Sequence, residues 1–287
     1  MRRKLLDISK KIDALNLEIL KKIKEIADNS KIDFFIVGAI VRDIILNYIY
    51  EIEIYRATND IDFAVRVRSW DEYNLLVKEI EKKKFQKDER ILHRYTYNGM
   101  IIDFIPFGDI SSDEDTIIWP DEDNKEMNVI GFDDAYMNTE DILIQTDPDI
   151  IIKAASVESL VMLKIFAWND RAVNLRLKDA KDLYLIIDSY LRAGNEERLF
   201  NEHTDIVEET EDYELSGARL LGRDISSVVS DKVREKILEL LHSDKADLLA
   251  NEMSRYEGIH LENDDDKLEL CEKLLRSLLA GLEDEVS

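Results

Sequence analysis

The sequence predicts an α+β protein in which an α/β domain is followed by a helical domain. Within residues 32–107, β-branched apolar runs alternate with segments whose apolar residues are spaced as in a helix. Asn98-Gly99 stands between two strand-like runs, and this dipeptide is the strongest short signal for a β-hairpin. From Ser156 onward, apolar residues recur at three- and four-residue steps. We therefore expect an α/β domain over residues 1–155 and a helical domain over residues 156–287.

The α/β domain is expected to contain a strand, a helix, a second strand, a second helix and a hairpin, in that order. An amphipathic, lysine-rich helix over residues 1–28 precedes them. Residues 108–156 are expected to add loops and short strands, because their acidic first half is typical of a solvated loop. The expected elements are the strand Phe34–Val37, the helix Ile40–Leu46, the strand Thr58–Val65, the helix Trp70–Lys84, the hairpin Arg90–Tyr97 with Met100–Phe107, and the short strands Ile142–Ile144 and Ile150–Ile152.

The helical domain is expected to begin at Val157. Ser156 is a good N-cap, and Glu158 lies in the first turn, where a negative charge is favourable. An acid-rich segment, residues 195–215, interrupts the helical pattern. The expected helices are Val157–Trp168, Leu177–Ala193, Val228–Leu241, Lys245–Tyr256 and Lys267–Leu282. The leucine stripe of the last helix indicates a core position or a contact in a homo-oligomer.

Asp60 and Asp62 form the most informative pair of residues in the chain. Residues two apart in a strand point to the same face, so the run Thr58–Val65 places both carboxylates in one small volume. Adjacent carboxylates repel each other, and the pair gains no stability from this arrangement alone. A divalent cation removes the repulsion, and hard oxygen ligands suit Mg²⁺. The pair therefore predicts a metal site, although Asp-x-Asp is also common at turns and strand ends.

Two further segments supply candidate site residues. Gly38 separates the strand Phe34–Val37 from a helix, and a glycine at such a turn lets backbone N–H groups approach a phosphate closely. Asp103 is the one acid in the apolar strand Met100–Phe107. A lone acid in a buried strand is unfavourable unless it is paired or bound to a cation. Asp103 is therefore the expected third metal ligand.

The ordered set of a glycine turn, an Asp-x-Asp strand and a third acid on a later strand resembles the nucleotidyltransferase superfamily with the polymerase-β-like fold. The stretch Val37–Asp43 is also similar to the opening of tRNA nucleotidyltransferases and poly(A) polymerases, but Ala39 stands where Gly or Ser is usual. The resemblance covers about residues 30–190. It implies a mixed sheet with flanking helices, followed by a helical domain.

A second motif lies in the helical domain and indicates one branch of this superfamily. The motif consists of Lys164, Arg171, Asp179 and the pair Asp182-Leu183. It resembles the Lys…Arg…Asp-x-x-Asp-Leu motif of the AbiEii/AbiGii-like branch. That branch includes toxin components of toxin–antitoxin and phage-defence systems. The resemblance therefore implies an antitoxin protein as a partner.

The resemblance also implies a reaction and a set of site residues. An acceptor hydroxyl would attack the α-phosphorus of an NTP, and pyrophosphate would leave. Two Mg²⁺ ions would be held by Asp60 and Asp62, with Asp103 completing the site of the ion that activates the acceptor. The implied nucleotide-binding residues are Gly38, Ala39, Arg42 and Lys164.

The implied cationic contacts have structural alternatives. Arg42 can form an ion pair with Asp43 or with another acid instead of binding a phosphate. Lys164 lies in an apolar helix, where a lysine can bury its stem and keep its charge at the surface. For Asp179, Asp182 and Arg171, a network of ion pairs on the helix surface is favoured over a catalytic role.

Composition excludes several classes of protein. No apolar run approaches the roughly 20 residues that span a bilayer, so a cytoplasmic location without membrane association is predicted. Cys271 is the only cysteine, which excludes an internal disulfide and a cysteine-rich zinc site. The net charge is −24, from 39 basic and 63 acidic residues. This sign disfavours a protein dedicated to non-specific nucleic-acid binding, although local basic patches can still act on RNA.

Three functions are compatible with the sequence. The first is an AbiEii-like nucleotidyltransferase that modifies RNA, a protein or a small acceptor. The second is an antibiotic nucleotidyltransferase that transfers AMP to a hydroxyl of an aminoglycoside or lincosamide, which the acidic overall charge permits. The third is a non-catalytic binding module that retains the fold. Retention of three acids argues against the third.

Overall fold

The computed structural model describes residues 5–56, 58–120, 125–210 and 212–284. The chain divides into two compact units. The first is formed by Met1–Ile44 and Ala57–Ser156, and the second by Ile45–Arg56 and Val157–Ser287. The sequence places the domain boundary between residues 155 and 156. The observed division falls one residue later and assigns the tyrosine-rich segment Ile45–Arg56 to the second unit.

The first unit is built on an eight-stranded mixed sheet, which confirms the predicted fold class. Its strand order is β1-β9-β10-β2-β3-β6-β5-β4, and β7 and β8 form a separate two-stranded sheet. The strands are β1 (Leu5–Asp7), β2 (Asp33–Val37), β3 (Asp60–Val67), β4 (Gln86–Lys87), β5 (Arg94–Tyr97), β6 (Met100–Gly108), β7 (Thr116–Ile118), β8 (Glu126–Asn128), β9 (Thr139–Gln145) and β10 (Ile150–Ala155). The helices are α1 (Ala14–Ser30), α2 (Ala39–Arg42), which continues as the π-helical segment Asp43–Ile49, α3 (Trp70–Lys82) and α4 (Phe132–Met137).

The centre of the sheet follows from the apolar pattern of two strands. β3 and β6 are parallel, and α3 provides part of the long connection that a parallel pair requires. Phe63 of β3 and Phe104 of β6 are both fully buried, and their rings stack with centroids 5.3 Å apart. The hairpin between β5 and β6 is confirmed, because Asn98 and Gly99 both have positive φ, at 48° and 86°. The tight turn fixes the pairing of β5 with β6.

The N-terminal part of the chain differs from the single helix predicted over residues 1–28. Leu5–Asp7 forms β1, which pairs in parallel with β9, and α1 begins only at Ala14. The side chain of Asp13 accepts hydrogen bonds from the backbone N–H groups of residues 15 and 16, both at 3.0 Å, and so caps the helix. The helical spacing of the apolar residues continues upstream of the cap, which is why the sequence predicted a longer helix. Residues 1–4 lie outside the described residues.

Residues 108–156 are more ordered than the predicted loops and short strands. β7 and β8 form an antiparallel ribbon, and α4, which the sequence did not predict, follows it. Ile117 and Trp119 are buried between the acidic residues of this segment, and Trp119 lies against Trp70 with ring centroids 5.0 Å apart. The two apolar side chains anchor the ribbon, whereas Asp113, Glu114 and Glu126 are exposed. The predicted acidic loop also includes residues 121–123, which lie outside the described residues. The strands predicted at 142–144 and 150–152 are present as β9 and β10.

The second unit is helical, as predicted. Its helices are α5 (Val157–Asp170), α6 (Val173–Asp188), α7 (Glu196–Glu202), α8 (Thr204–Thr210), α9 (Tyr213–Val228), α10 (Asp231–Leu241), α11 (Lys245–Met253) and α12 (Asp264–Glu283), with a kinked segment at Leu191–Asn195 in which Gly194 has φ of 88°. α7 and α8 lie in the segment 195–215, which the sequence indicated only as acid-rich. α9 covers residues between that segment and the helix predicted from Val228, where the sequence predicted no element. Among the described residues, no helix combines the length and the apolar character needed to cross a membrane.

α9 and α12 cross at very close range through glycines. A Cβ atom at Gly222 of α9 would overlap the carbonyl oxygen of Leu278, and one at Gly281 of α12 would overlap the carbonyl oxygen of Arg219. In both places the obstacle is helix backbone, which cannot rotate away as a side chain can. The two glycines therefore set the distance between these helices.

Candidate active site

The first unit brings the three predicted acids onto one face of two adjacent strands. Asp60 and Asp62 alternate along β3 with Ile61 and Phe63, which are fully buried. In the parallel register of β3 and β6, Asp62 lies directly beside Asp103. Residues in register share a face of the sheet, so the side chain of Asp103 lies on the face of Asp62. Asp103 is 6% exposed, whereas Asp60 and Asp62 are half-buried.

Gly38 lies against the carboxylate of Asp62. β2 and β3 are antiparallel neighbours in which Val37 pairs with Asp62, and Gly38 follows with φ of 75°. A Cβ atom at Gly38 would overlap Oδ2 of Asp62. Ala39 begins α2 immediately afterwards. The glycine turn that the sequence predicts as a phosphate contact is therefore also the position that leaves room for a candidate metal ligand.

Gly38→Ala is expected to disturb the acid site more than it disturbs the fold. The substitution would force the Asp62 carboxylate to move, and the strained backbone would lower the free energy of unfolding by about 1–3 kcal/mol. Affinity for an NTP with Mg²⁺, measured by calorimetric titration, should fall at least about tenfold.

Gly99→Ala is the matched control, because Gly99 also has a positive φ but no heavy atom lies near its Cβ position. We expect a similar loss of stability in this variant with unchanged nucleotide affinity. Equal nucleotide affinity in the Gly38→Ala and Gly99→Ala variants would contradict the role of Gly38.

A chain of hydrogen bonds holds the segment that precedes β3. Arg42 is fully buried and pairs with Asp43, with 2.8 Å between Nε of Arg42 and Oδ1 of Asp43. The other carboxylate oxygen of Asp43 accepts a hydrogen bond of 3.0 Å from the backbone N–H of Thr58. The hydroxyl of Thr58 in turn donates to Oδ1 of Asp60. The predicted alternative that Arg42 pairs with Asp43 is confirmed, and the phosphate contact by Arg42 stays a prediction.

Arg94 of β5 is a residue of this site that the sequence reasoning missed. Its Nε and Nη2 atoms donate to Oδ1 and Oδ2 of Asp103 at 2.8 and 2.7 Å. The signal was present in the sequence, because a two-residue turn at Asn98-Gly99 pairs Tyr97 with Met100 and, three pairs further on, Arg94 with Asp103. The hydrogen bonds to Asp103 raise the pKa of the Arg94 guanidinium.

His93 lies next to the same carboxylate, with 3.9 Å between its Nε2 atom and Oδ2 of Asp103. Its ring stacks on Trp119, with centroids 6.1 Å apart. Burial lowers the pKa of His93, and the negative charge of Asp103 only partly opposes this effect. Arg94 is therefore the cation that balances Asp103.

The chemistry of the acids fits a divalent ion at Asp60 and Asp62 better than a site that includes all three. Carboxylates two apart on a strand supply the hard oxygen ligands that Mg²⁺ prefers. Among the described residues, however, no group of three or more acid, histidine or cysteine side chains is arranged to hold a metal ion. Both oxygens of Asp103 are hydrogen-bonded to Arg94. The role of Asp103 as a third ligand stays a prediction.

Lys164 belongs to the second unit, where it forms a buried ion-pair network. Its Nζ atom lies 2.7 Å from Oδ2 of Asp182 and 3.6 Å from Oδ1 of Asp179, and its side chain is 6% exposed. The interpretation that Lys164 buries only its stem and keeps its charge at the surface is therefore wrong. Arg171 also pairs with Asp179, so the predicted network exists, but its two acids are buried. The contact of Lys164 with a nucleotide stays a prediction.

The tyrosine-rich segment Ile45–Arg56 contributes to this network. The hydroxyl of Tyr55 donates to Oδ1 of Asp182 at 3.3 Å, and the guanidinium of Arg56 lies 3.7 Å from Oδ2 of the same residue. Asp182 therefore has a lysine, an arginine and a tyrosine as partners. The segment that the sequence showed only as a long insert between the glycine turn and Asp60 is thereby fixed to the second unit.

Lys164→Met is expected to destabilise the protein. The substitution removes one partner of a buried ion pair, for which the free energy of unfolding falls by about 3 kcal/mol. The urea midpoint should fall accordingly. Lys178→Met, at an exposed position of α6, is the control and should change the free energy of unfolding by less than about 0.5 kcal/mol. An unchanged midpoint for Lys164→Met would contradict the importance of the network.

The fold and the acid-bearing strands of the first unit define a nucleotidyltransferase. The chain belongs to the AbiEii nucleotidyltransferase family, because residues 30–256 match the family described as "Nucleotidyl transferase AbiEii toxin, Type IV TA system". This match extends well beyond the part of the chain whose motifs carried the resemblance. A comparison with curated proteins found no match.

Several solved structures are similar to this chain at low sequence identity. The antibiotic-resistance factor ANT(2'')-Ia is 14% identical, over 70% of this chain and 98% of that one, with a TM-score of 0.38. An antigenic nucleotidyltransferase-like protein from Paracoccidioides brasiliensis is 14% identical, over 72% of this chain and 94% of that one, with a TM-score of 0.40. The Thermotoga maritima CCA-adding enzyme complexed with tRNA is 12% identical, over 94% of this chain and 80% of that one, with a TM-score of 0.26.

Proposed function

We propose that this nucleotidyltransferase moves a nucleoside monophosphate from an NTP to an acceptor hydroxyl, and that the reaction depends on a divalent ion at Asp60 and Asp62. The observation that carries the proposal is the position of Asp62. It has Asp60 two residues before it on the same strand face, Asp103 beside it in register, and Gly38 against its carboxylate. A strand-to-helix turn and a carboxylate pair thus meet at one place.

The proposed reaction forms one bond and breaks one bond. The acceptor oxygen attacks the α-phosphorus, an O–P bond forms, the bond from the α-phosphorus to the bridging oxygen breaks, and pyrophosphate leaves with that oxygen. The acceptor proton passes to solvent. Mg²⁺ held by Asp60 and Asp62 would supply neutralisation of the triphosphate charge. The backbone N–H groups of Gly38 and Ala39 bind phosphate oxygens, and the Arg42–Asp43 pair fixes the segment before Asp60 through Thr58.

The family match supports a toxin role, with an antitoxin protein as the partner. The acceptor is RNA, a protein or a small molecule, and a cytoplasmic location and a homo-oligomer stay predictions of the sequence. A non-catalytic module is disfavoured, because a site without chemistry has no reason to keep carboxylates side by side on one strand face.

The experiment that tests the proposal uses each of the four α-³²P-labelled NTPs with Mg²⁺. The purified protein is incubated with total RNA, with a protein extract and with an aminoglycoside mixture in separate reactions. Label in the RNA or protein fraction would support a toxin-like transferase. Label on an aminoglycoside would support the antibiotic-modifying alternative. Absence of label from every fraction with every NTP would contradict the proposed activity.

A further inference from the structure

A row of three charged residues crosses the centre of the sheet in the first unit. Asp62 of β3 is in register with Asp103 of β6, and Asp103 is in register with Arg94 of β5. Residues in register on adjacent strands lie about 5 Å apart and share one face. The row therefore places two carboxylates and one guanidinium side by side next to Asp60.

The contact between Arg94 and Asp103 is of the strongest type available to these side chains. Two parallel N–H···O bonds of 2.8 and 2.7 Å join the guanidinium to both carboxylate oxygens. Such fork-to-fork pairs fix the geometry as well as the charge. Asp103 is almost completely buried, whereas the side chain of Arg94 is 29% exposed. Asp103 therefore holds Arg94 from the buried side, and the guanidinium of Arg94 is partly exposed at the surface of the site.

The positive charge of Arg94 acts on more than its direct partner. The pKa of Arg94 is raised first by the hydrogen bonds to Asp103, and the charges of Asp103, Asp62 and Asp60 raise it further. A guanidinium stays protonated throughout the working pH range, so its charge is permanent. The resemblance implied that Asp103 completes the site of a second ion, whereas in the structure Arg94 already supplies a positive charge beside Asp103.

We propose that Arg94 is the second cation of this site, in place of a second divalent ion, and that Asp103 positions Arg94 instead of binding metal. This inference rests on the proposed function, and it revises the expected pair of Mg²⁺ ions to one, held by Asp60 and Asp62. The guanidinium uses two of its five N–H groups on Asp103, and within the described part of the chain the other three donate to no acceptor. These three groups bind phosphate oxygens of the substrate.

The number of divalent ions per bound nucleotide tests the inference without any turnover. Equilibrium dialysis with Mn²⁺ and the α,β-methylene analogue of the preferred NTP gives the bound Mn²⁺ and the bound nucleotide for the wild type and for each variant. The wild type should retain one Mn²⁺ per nucleotide. Arg94→Met should retain two, because the Asp62–Asp103 pair then needs a cation. Arg94→Lys, which keeps the charge, should retain one and guards against a folding defect in the Met variant.

Further variants separate the roles of the acids. Asp103→Asn should keep the Mn²⁺ affinity within about twofold of the wild type, whereas Asp60→Asn should weaken it at least about tenfold. Arg90→Met is the control for Arg94→Met, because it removes an exposed arginine four residues before Arg94 in the sequence. It should leave the number of Mn²⁺ ions per nucleotide unchanged. Two ions per nucleotide in the wild type, or one in Arg94→Met, would overturn the inference and leave the proposed function standing. No Mn²⁺ with any nucleotide would contradict the proposed function and this inference with it.

Discussion

Asp62→Ala is expected to abolish nucleotidyl transfer while the protein stays folded. Asp62 joins the elements of the site, since it lies beside Asp103 and against Gly38 on the same strand as Asp60. The loss of Asp62 should lower turnover by at least about a hundredfold. Mutation of a residue that only hydrogen-bonds to a metal ligand already lowers activity by up to about a hundredfold, and the loss of the ligand itself should have a larger effect. The measurement is the rate of pyrophosphate release with saturating NTP and Mg²⁺.

Thermal unfolding with and without metal provides the control. Mg²⁺ with a non-hydrolysable NTP should raise the melting temperature of the wild type by mass action, and EDTA should reverse the shift. The Asp62→Ala protein should melt cooperatively near the metal-free wild type and should show no such shift. A melting temperature of the variant that still rises with Mg²⁺ and nucleotide would place the ion elsewhere in the chain.

Among substitutions that add a single methyl group to the second unit, Gly281→Ala is expected to be the most destabilising. The added Cβ would overlap the backbone carbonyl oxygen of Arg219, so α9 and α12 would have to separate along a long contact. Insertion of a methyl group into close-packed structure costs about 1–3 kcal/mol, and contact with rigid backbone places this site at or above the upper end. The free energy of unfolding in urea should therefore fall by about 3 kcal/mol or more.

A substitution on the exposed side of the same helix is the matched control. Glu269 makes a surface ion pair of 2.7 Å with Lys273, and both side chains are exposed. Surface pairs contribute about 0–1 kcal/mol, so Glu269→Ala should leave the urea midpoint almost unchanged. Equal midpoints for Gly281→Ala and Glu269→Ala would mean that the helices tolerate a greater separation than their close contact indicates.

Most of the first unit could be predicted from the sequence because its signals are local. The alternation of acids with apolar residues in β3 placed Asp60 and Asp62 on one face, and the Asn98-Gly99 turn fixed the hairpin that carries Asp103. The same turn also determined the partner of Asp103, since the register of a two-residue hairpin follows by counting. Arg94 was missed because the hairpin was used only to find a strand.

Other features depend on contacts that no local pattern records. The segment Ile45–Arg56 is fixed by Asp182, which lies more than a hundred residues further along the chain. Lys164 lies in a helix that is apolar on nearly all sides, and only the position of α6 decides whether its charge is buried in an ion pair. The short helices α7 and α8 are rich in acids, and the acids masked the apolar positions that face the core. Each of these outcomes was set by packing and not by propensity.

The position of bond cleavage in the NTP is the most direct test of the account. The wild type is incubated with Mg²⁺ and either α-³²P or γ-³²P NTP, together with the acceptor fraction that becomes labelled, and Asp62→Ala is treated in parallel. We expect label from the α position on the acceptor, label from the γ position only in pyrophosphate, and neither product from the variant. Label from the γ position on the acceptor, or equal transfer by Asp62→Ala, would contradict nucleotidyl transfer at this site.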